Sequence, residues 1–389
     1  MLFHSFPVRL FAALAFVALM WGADATLRPP KAAPALARID TAQSGAAPVD
    51  LTSLRIKVRG EFDLPPGAKA SHASSLVVMP ADCPASLTVF WFSGDRESGP
   101  QVEIAAAQLD RKTGLWSAPR IVVNRLAAGA ELGFGLRRLG NPVGWLDARG
   151  KLHLFVVATG GGGWAASRVL HLSQSSAEQT LQALAFQPQR VMPLSWLWNT
   201  SFLVRNAPMP LTDGGMLLPV HFELGIKVPF AIRFDAEGRM TGVTRMSRNN
   251  YWLQPALLPL SSTHWMALMR DERDNGKIGA VQTVNGGQDW SDMPDLDQPN
   301  PDSALSTLAW ASSQFLMAHN PVSSGRGELT VSHSHDGVHW LPLQTLEKGA
   351  PNAEFSYPAM AWVDGSLWVT YTIERERLAW QRLAPGALP

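Results

Sequence analysis

The chain has 389 residues, of which 46% are hydrophobic and 17% charged, so it can bury a large core. Its formal net charge of +1 gives no reason to expect a polyanionic partner such as nucleic acid. Cys83 is the one cysteine, which excludes an intrachain disulfide, and the sequence has no CxxC or HExxH motif for zinc. We therefore predict neither a metal nor a cofactor.

The N-terminus has the pattern of an export signal. Arg9 precedes a short apolar run, and Ala23-Asp24-Ala25 provides a small-x-small cleavage site. Residues 1–25 are therefore predicted to be a signal peptide cleaved after Ala25, with an uncleaved membrane anchor as the alternative. Either reading places the protein outside the cytoplasm, in the periplasm or secreted. Residues 26–50, rich in Ala and Pro, are predicted to be a linker.

Six apolar–turn–apolar units follow, each typical of two strands joined by a tight turn. Asp235, Asn285 and Asp336 lie in a second set of turns, at intervals of 50 and 51 residues. Each unit therefore contains a second hairpin. Four antiparallel strands in each of six units predict an all-β, six-bladed β-propeller over residues 51–389. A strand within about residues 51–63 is expected to pair with the last blade and close the ring.

The second set of turns resembles a known motif. Residues 283–290 (TVNGGQDW) and 334–340 (SHDGVHW) resemble the Asp-box, S/T-x-D-x-G-x-x-W, of the sialidase (BNR-repeat) superfamily. The first has Asn in place of Asp, and the second is one residue shorter. Stretches such as GNPVGW, LPVHFELGIK and EFSYPAMAWVDGSLWVTYT are similar to a bacterial and plant branch of sialidase-like proteins. This resemblance implies that the Asp-box turns are structural and lie away from the active face.

Alternating strand directions place the start of strand one and the end of strand two of every blade on one face, which we call the mouth. Polar residues predicted at the mouth are His72, Arg96, Glu97, Asn141, His221, Glu223, Gln254, Arg270, Asp271, Asn300, Arg326, Glu354, Tyr357 and Arg375. Polar groups that converge in a cavity are the default candidate for a binding site. The alternative is a solvated rim whose charges pair with each other.

The resemblance to sialidases implies roles for some of these residues. A guanidinium cluster holds the substrate carboxylate, and Arg270, Arg326 and Arg375 are the candidates. A tyrosine attacks the anomeric carbon, which makes Tyr357 the candidate nucleophile.

The remaining chemical roles fall to carboxylates. Glu223 or Glu354 is predicted to activate the tyrosine, and Glu97 to donate the proton to the leaving oxygen. Glu103 is an alternative acid. The remaining mouth residues are predicted to line the sugar site.

The sequence departs from the sialidase pattern in two places. It lacks the Arg-Ile-Pro motif of the first strand, where His72 occupies the comparable position, and Gln101 lies where the family acid is expected. We therefore predict an exo-glycosidase for an acidic sugar, either sialic acid or a uronate-type glycan. Two alternatives stay open. One is a uronate lyase using His72, His221, Tyr357 and Arg270; the other is a non-catalytic propeller for glycan binding or polysaccharide assembly.

Overall fold

Six antiparallel sheets succeed one another along the chain and form the blades of a β-propeller, which confirms the predicted fold. The structure, a computed structural model, describes residues 6–39, 51–311 and 313–385. A helix, α1 (Phe6–Leu27), and strand β1 (Leu54–Glu61) precede the first complete blade. One helix, α2 (Arg125–Leu132), connects blades 1 and 2. Short 3-10 helices lie at Leu51–Ser53, Gly163–Ala166 and Leu181–Ala183.

The first three blades run from residue 70 to residue 245. Blade 1 contains β2 (Ala70–Val78), β3 (Ala85–Gly94), β4 (Glu103–Asp110) and β5 (Arg120–Val123). Blade 2 contains β6 (Arg138–Leu146), β7 (Leu152–Thr159), β8 (Arg168–Gln174) and β9 (Phe186–Val191). Blade 3 contains β10 (Phe202–Val204), β11 (Met209–Pro210), β12 (Met216–Leu224), β13 (Ile226–Phe234) and β14 (Met240–Arg245). Its inner strand is thus split into β10 and β11, which both pair with β12.

The last three blades complete the ring. Blade 4 contains β15 (Trp252–Pro259), β16 (Trp265–Asp271), β17 (Gly279–Thr283) and β18 (Ser291–Asp292). Blade 5 contains β19 (Ser306–Ala311), β20 (Gln314–His319), β21 (Glu328–Ser334) and β22 (Leu341–Lys348). Blade 6 contains β23 (Phe355–Val363), β24 (Ser366–Ile373) and β25 (Arg377–Pro385). Strand β1 is its fourth strand and pairs antiparallel with β25, so the expected closing strand is present.

The Asp-box turns are built by side-chain hydrogen bonds to the backbone. The Asp336 carboxylate accepts bonds of 2.8 Å from the amides of Val338 and His339. The Trp340 indole donates to the Gly337 carbonyl at 2.9 Å, and Gly337 has a φ of +78°. Such turns stabilise themselves locally, which is why their pattern is readable in the sequence. They lie on the face opposite the mouth.

The inner strands of blades 1, 2, 4 and 6 each contain a β-bulge. A residue with positive φ lies in each bulge: Ala73 (+52°), Asn141 (+41°), Gln254 (+52°) and Tyr357 (+54°). Proline follows three of the four, and proline suits a bulge because it has no amide hydrogen to leave unpaired. A bulge redirects the side chain of its extra residue and is common beside functional sites.

Two adjacent residues of blade 3 bind the carbonyl groups that these bulges leave free. Arg205 donates to the carbonyls of Ser74 (3.2 Å) and Pro358 (2.9 Å), in the bulges of blades 1 and 6. The Asn206 amide donates to the carbonyls of Gln254 and Pro255, in the bulge of blade 4. Blade 3 therefore provides the hydrogen bonds that buried carbonyls require at the centre of the ring.

Part of the segment predicted as a linker lies against the propeller. Ala32, Ala35 and Ala37 are buried, and the Ala35 amide donates to the carbonyl of Gly286 at 2.9 Å. Helix α1 continues through Leu27, and residues 9–27 are long and apolar enough to cross a membrane. Residues 40–50, the rest of the predicted linker, lie outside the described part of the chain.

Candidate functional site

Tyr357 lies at the centre of the mouth, on the bulge of β23. Its hydroxyl is 3.5 Å from Arg270 Nη1, and its ring meets the His72 ring edge-on with 4.5 Å between centroids. The Arg205 guanidinium lies 5.1 Å from the centroid of the Tyr357 ring. Two cations and an imidazole from blades 1, 3 and 4 thus surround one phenol.

Arg270, at the end of β16, is a fixed cation beside this hydroxyl. Its Nε donates to the Asp302 carboxylate at 2.6 Å, and Nη1 is 3.3 Å from the amide oxygen of Gln254. Burial acts against the charge, but Tyr357 and Asp302 outweigh it and raise the pKa of Arg270 above its ordinary value. Gln254, from the bulge of blade 4, therefore shares this guanidinium with the tyrosine.

Arg205 is a central residue that the sequence analysis did not identify. It is 3% exposed, and burial lowers its pKa to about 10, while the nearby Tyr357 acts in the opposite direction. The available signal was a single arginine directly after the apolar run FLV, at the blade-3 position where other inner strands bulge. A charge there has to be buried, so it has to have partners.

His72 provides a buried neutral imidazole. Burial, followed by the charges of Arg205 and Arg375, lowers its pKa well below the ordinary value. Neither ring nitrogen forms a hydrogen bond within the described residues. Its Nε2 lies 3.6 Å from the Glu97 carboxylate, too far for a hydrogen bond. His72 can therefore accept a hydrogen bond from a ligand.

The other predicted clamp arginines are joined by a carboxylate. Glu354 accepts from Arg326 Nη1 and Arg375 Nε, each at 2.9 Å, and Arg375 also bonds Glu97 at 3.1 Å. Burial opposes ionisation of Glu354, but the two guanidinium groups outweigh it and lower its pKa. An internal anion thus occupies the position expected for a substrate carboxylate.

Glu223 lies at the end of β12 with His221. Its carboxylate is 3.3 Å from His221 Nε2, and this bond, with a contribution from Arg270, lowers the pKa of Glu223. No carboxylate among the described residues forms a hydrogen bond with the Tyr357 hydroxyl. Activation of the tyrosine by Glu223 or Glu354 therefore stays a prediction.

Four other predicted residues are not among the side chains that contact Tyr357 in the described part of the chain. Asp271 is buried and binds Arg273, and Asn300 supports the same region by bonding the Asp271 amide at 3.3 Å. Asn141 occupies the bulge of blade 2, and Arg96 is exposed on the loop after β3. Asp271 and Asn300 therefore stabilise a loop, while Asn141 and Arg96 border the mouth.

Comparisons with known proteins agree with this architecture. A family model described as a BNR repeat-like domain matches residues 85–369. A Hadza microbial sialidase is similar in structure, with a TM-score of 0.65 and 14% identity, over 82% of this chain and 66% of that chain. For Trypanosoma rangeli sialidase the TM-score is 0.65 and the identity 13%, over 84% of this chain and 59% of that chain. A Dyadobacter fermentans protein of unknown function has a TM-score of 0.64 and 10% identity, over 86% of this chain and 100% of that chain.

These structural likenesses, at identities this low, show the fold alone. The chain spans about two thirds or less of the two sialidases. No sequence among curated proteins matches it significantly. The family model, in contrast, matches residues 85–369, which are well over half of the chain and include at least part of every blade. The protein therefore belongs to the BNR repeat-like domain family.

Proposed function

We propose that the protein is an exported exo-glycosidase that hydrolyses the bond to a terminal acidic sugar, with Tyr357 as its nucleophile. The observation that carries this proposal is the placement of the Tyr357 hydroxyl, on a bulge at the mouth and 3.5 Å from Arg270 Nη1. Non-glycine residues held at positive φ concentrate at functional sites. Arg270 also places a positive charge beside the hydroxyl, where negative charge develops as the oxygen attacks.

The residues around Tyr357 suit a double displacement. The tyrosine oxygen attacks the anomeric carbon while the glycosidic C–O bond breaks, Glu97 gives a proton to the leaving oxygen, and Glu223 or Glu354 takes the phenolic proton. Water then gives a proton to Glu97 and attacks the same carbon. The released tyrosine oxygen recovers its proton from the same carboxylate, which restores the site.

The acidic sugar is proposed from the charges at the mouth. Arg270, Arg326 and Arg375 approach from blades 4, 5 and 6, and guanidinium groups match carboxylates in geometry. Glu97 is ion-paired with Arg375, at 3.1 Å. A substrate carboxylate that takes over Arg375 would release Glu97 to act as the acid.

A non-catalytic glycan-binding propeller is the second candidate. It is favoured by one observation, namely that Glu97, Glu354 and Asp302 are all paired with arginines. Such carboxylates can organise a binding surface without supplying a proton.

Product release from sialylated and uronate-containing glycans tests the proposal. The full chain, in detergent micelles, is compared with Tyr357→Phe and with Tyr251→Phe, a matched removal of a hydroxyl outside the site. Reducing sugar released by the wild type and by Tyr251→Phe, but not by Tyr357→Phe, is the expected result. New ultraviolet absorbance from an unsaturated uronate would indicate the lyase instead. No product from any glycan, with the protein folded, would favour the binding propeller.

A further inference from the structure

Three arginines lie together on the mouth side of blades 1 and 2. Arg137 and Arg138 stand at the start of β6, and Arg96 lies on the loop between β3 and β4. This loop is fixed to β6, because the Gln101 amide donates to the Arg137 carbonyl at 3.2 Å. We call Arg96, Arg137 and Arg138 the rim cluster.

The rim cluster is cationic and has no carboxylate partner among the described residues. Arg270, Arg326 and Arg375 each have one, so the two sides of the mouth differ. The Arg138 Nε is buried without a hydrogen bond. Burial, followed by the charges of Arg137 and Arg96, lowers the pKa of Arg138.

Like charges held together without a counterion are unfavourable, and an anionic ligand would relieve this repulsion. The net charge of +1 conceals the cluster, because acidic residues elsewhere in the chain compensate for it. The rim cluster is therefore a local feature that bulk composition does not reveal.

A rigid aromatic ring stands beside the cluster. The Trp164 indole donates to the Ser98 hydroxyl at 2.7 Å, in the same loop as Arg96. A Cβ atom at Gly140 would lie 2.9 Å from the Trp164 ring, so the ring packs directly on the β6 backbone. Fixed aromatic rings next to charged groups are suited to the apolar faces and acidic substituents of sugars.

The cluster adjoins the candidate site. Glu97 follows Arg96, and its carboxylate pairs with Arg375 and faces His72. A sugar bound at Tyr357 would therefore have its neighbour in the chain near the rim cluster.

We propose that the rim cluster is a second anion subsite, which binds the carboxylate of the acidic sugar adjacent to the one held at Tyr357. The preferred ligand is then a glycan with at least two neighbouring acidic sugars. This inference rests on the proposed function for the placement of the first sugar, but it concerns binding and requires no catalysis.

Calorimetric titration of the full chain in detergent micelles tests this inference. The probes are galacturonate, trigalacturonate and neutral maltotriose, and all proteins carry Tyr357→Phe so that no turnover occurs. We expect trigalacturonate to bind at least tenfold more tightly than galacturonate, because a second carboxylate forms charge-assisted hydrogen bonds with the rim cluster. Maltotriose is expected to bind weakly.

The double variant Arg137→Gln/Arg138→Gln is expected to lose this tenfold preference while its galacturonate affinity stays the same. Arg96 is exposed, so its replacement does not disturb folding. Arg96→Gln is expected to lose part of the tenfold preference. Arg149→Gln/Arg239→Gln is the matched control, because it removes two arginines from the opposite face and should keep the preference.

Three results would overturn the inference: equal binding of trigalacturonate and galacturonate to the parent, a preference that survives in Arg137→Gln/Arg138→Gln, or equal loss in the control. Failure of the proposed function looks different. In that case no glycan is cleaved, while the chain-length preference and its dependence on the rim cluster remain.

Discussion

Arg205 donates to the carbonyl of Pro358 at 2.9 Å, and this bond joins blade 3 to the bulge that carries Tyr357. We expect Arg205→Met to lower the free energy of unfolding by about 2–5 kcal/mol, because two buried carbonyls lose their donor. Urea denaturation followed by tryptophan fluorescence measures the change. Arg248→Met, at an exposed position, is the control. An Arg205→Met midpoint equal to that of the wild type would show that the carbonyls find other partners.

Glu354 holds Arg326 and Arg375 with one carboxylate, so its charge competes with any substrate anion. Glu354→Gln is expected to increase the affinity for galacturonate by about tenfold, because two guanidinium groups lose their internal counterion. Calorimetric titration measures the affinity, and Glu376→Gln removes the same charge nearby as a control. A weaker affinity in Glu354→Gln would mean that this carboxylate instead positions the arginines for the ligand.

The buried His319 makes the stability of the folded protein depend on pH. Burial alone lowers its pKa from 6.5 to about 4. The unfolded chain therefore binds the proton more readily between these values, so folded stability falls as the pH drops from 6.5 towards 4. We expect His319→Gln to reduce the loss in free energy of unfolding between pH 6.5 and pH 4 by about 3 kcal/mol.

Urea denaturation between pH 4 and pH 7 provides the comparison. His335→Gln, on an exposed Asp-box turn, is the control and should follow the wild type. Parallel curves for His319→Gln and the wild type would contradict the expected contribution.

Gly242 provides room for the N-terminal segment. A Cβ atom there would lie 2.5 Å from the Ala32 Cα, and the segment also bonds β14 through the Val243 amide and the Pro30 carbonyl. We expect Gly242→Ala to displace residues 30–35 and to speed amide hydrogen exchange of Val243 by at least tenfold. Gly161→Ala, where the added atom meets nothing within 4 Å, is the control. Unchanged exchange at Val243 would show that the segment shifts without releasing β14.

The blades and the closing strand could be predicted because their signals are local. An Asp-box such as 334–340 forms its own hydrogen bonds, and β1 has the length and position that an open last blade requires. The mouth residues could be assigned to one face because strand directions alternate. The proline after Asn141, Gln254 and Tyr357 is a further local signal that the sequence analysis did not use, since proline inside an inner strand indicates a bulge.

The partners of these residues could not be predicted in the same way. Arg205 reaches across the ring to carbonyls 131 and 153 residues away in sequence, and no periodicity encodes such a contact. The binding of Glu354 to two arginines depends on side-chain rotamers from separate blades. Gln254 shares Arg270 Nη1 with Tyr357 because the bulge of blade 4 turns it inwards.

The pairing of β1 with β25 sets the order in which the propeller can be completed. During synthesis, β1 is the first strand to emerge, and its partner, β25 at residues 377–385, emerges after all the other strands. Closing such a long loop costs conformational entropy, and only the contacts of the finished ring offset that cost. A chain that stops before Arg377 would leave β24 with an unpaired edge, so ring closure distinguishes complete molecules from truncated ones.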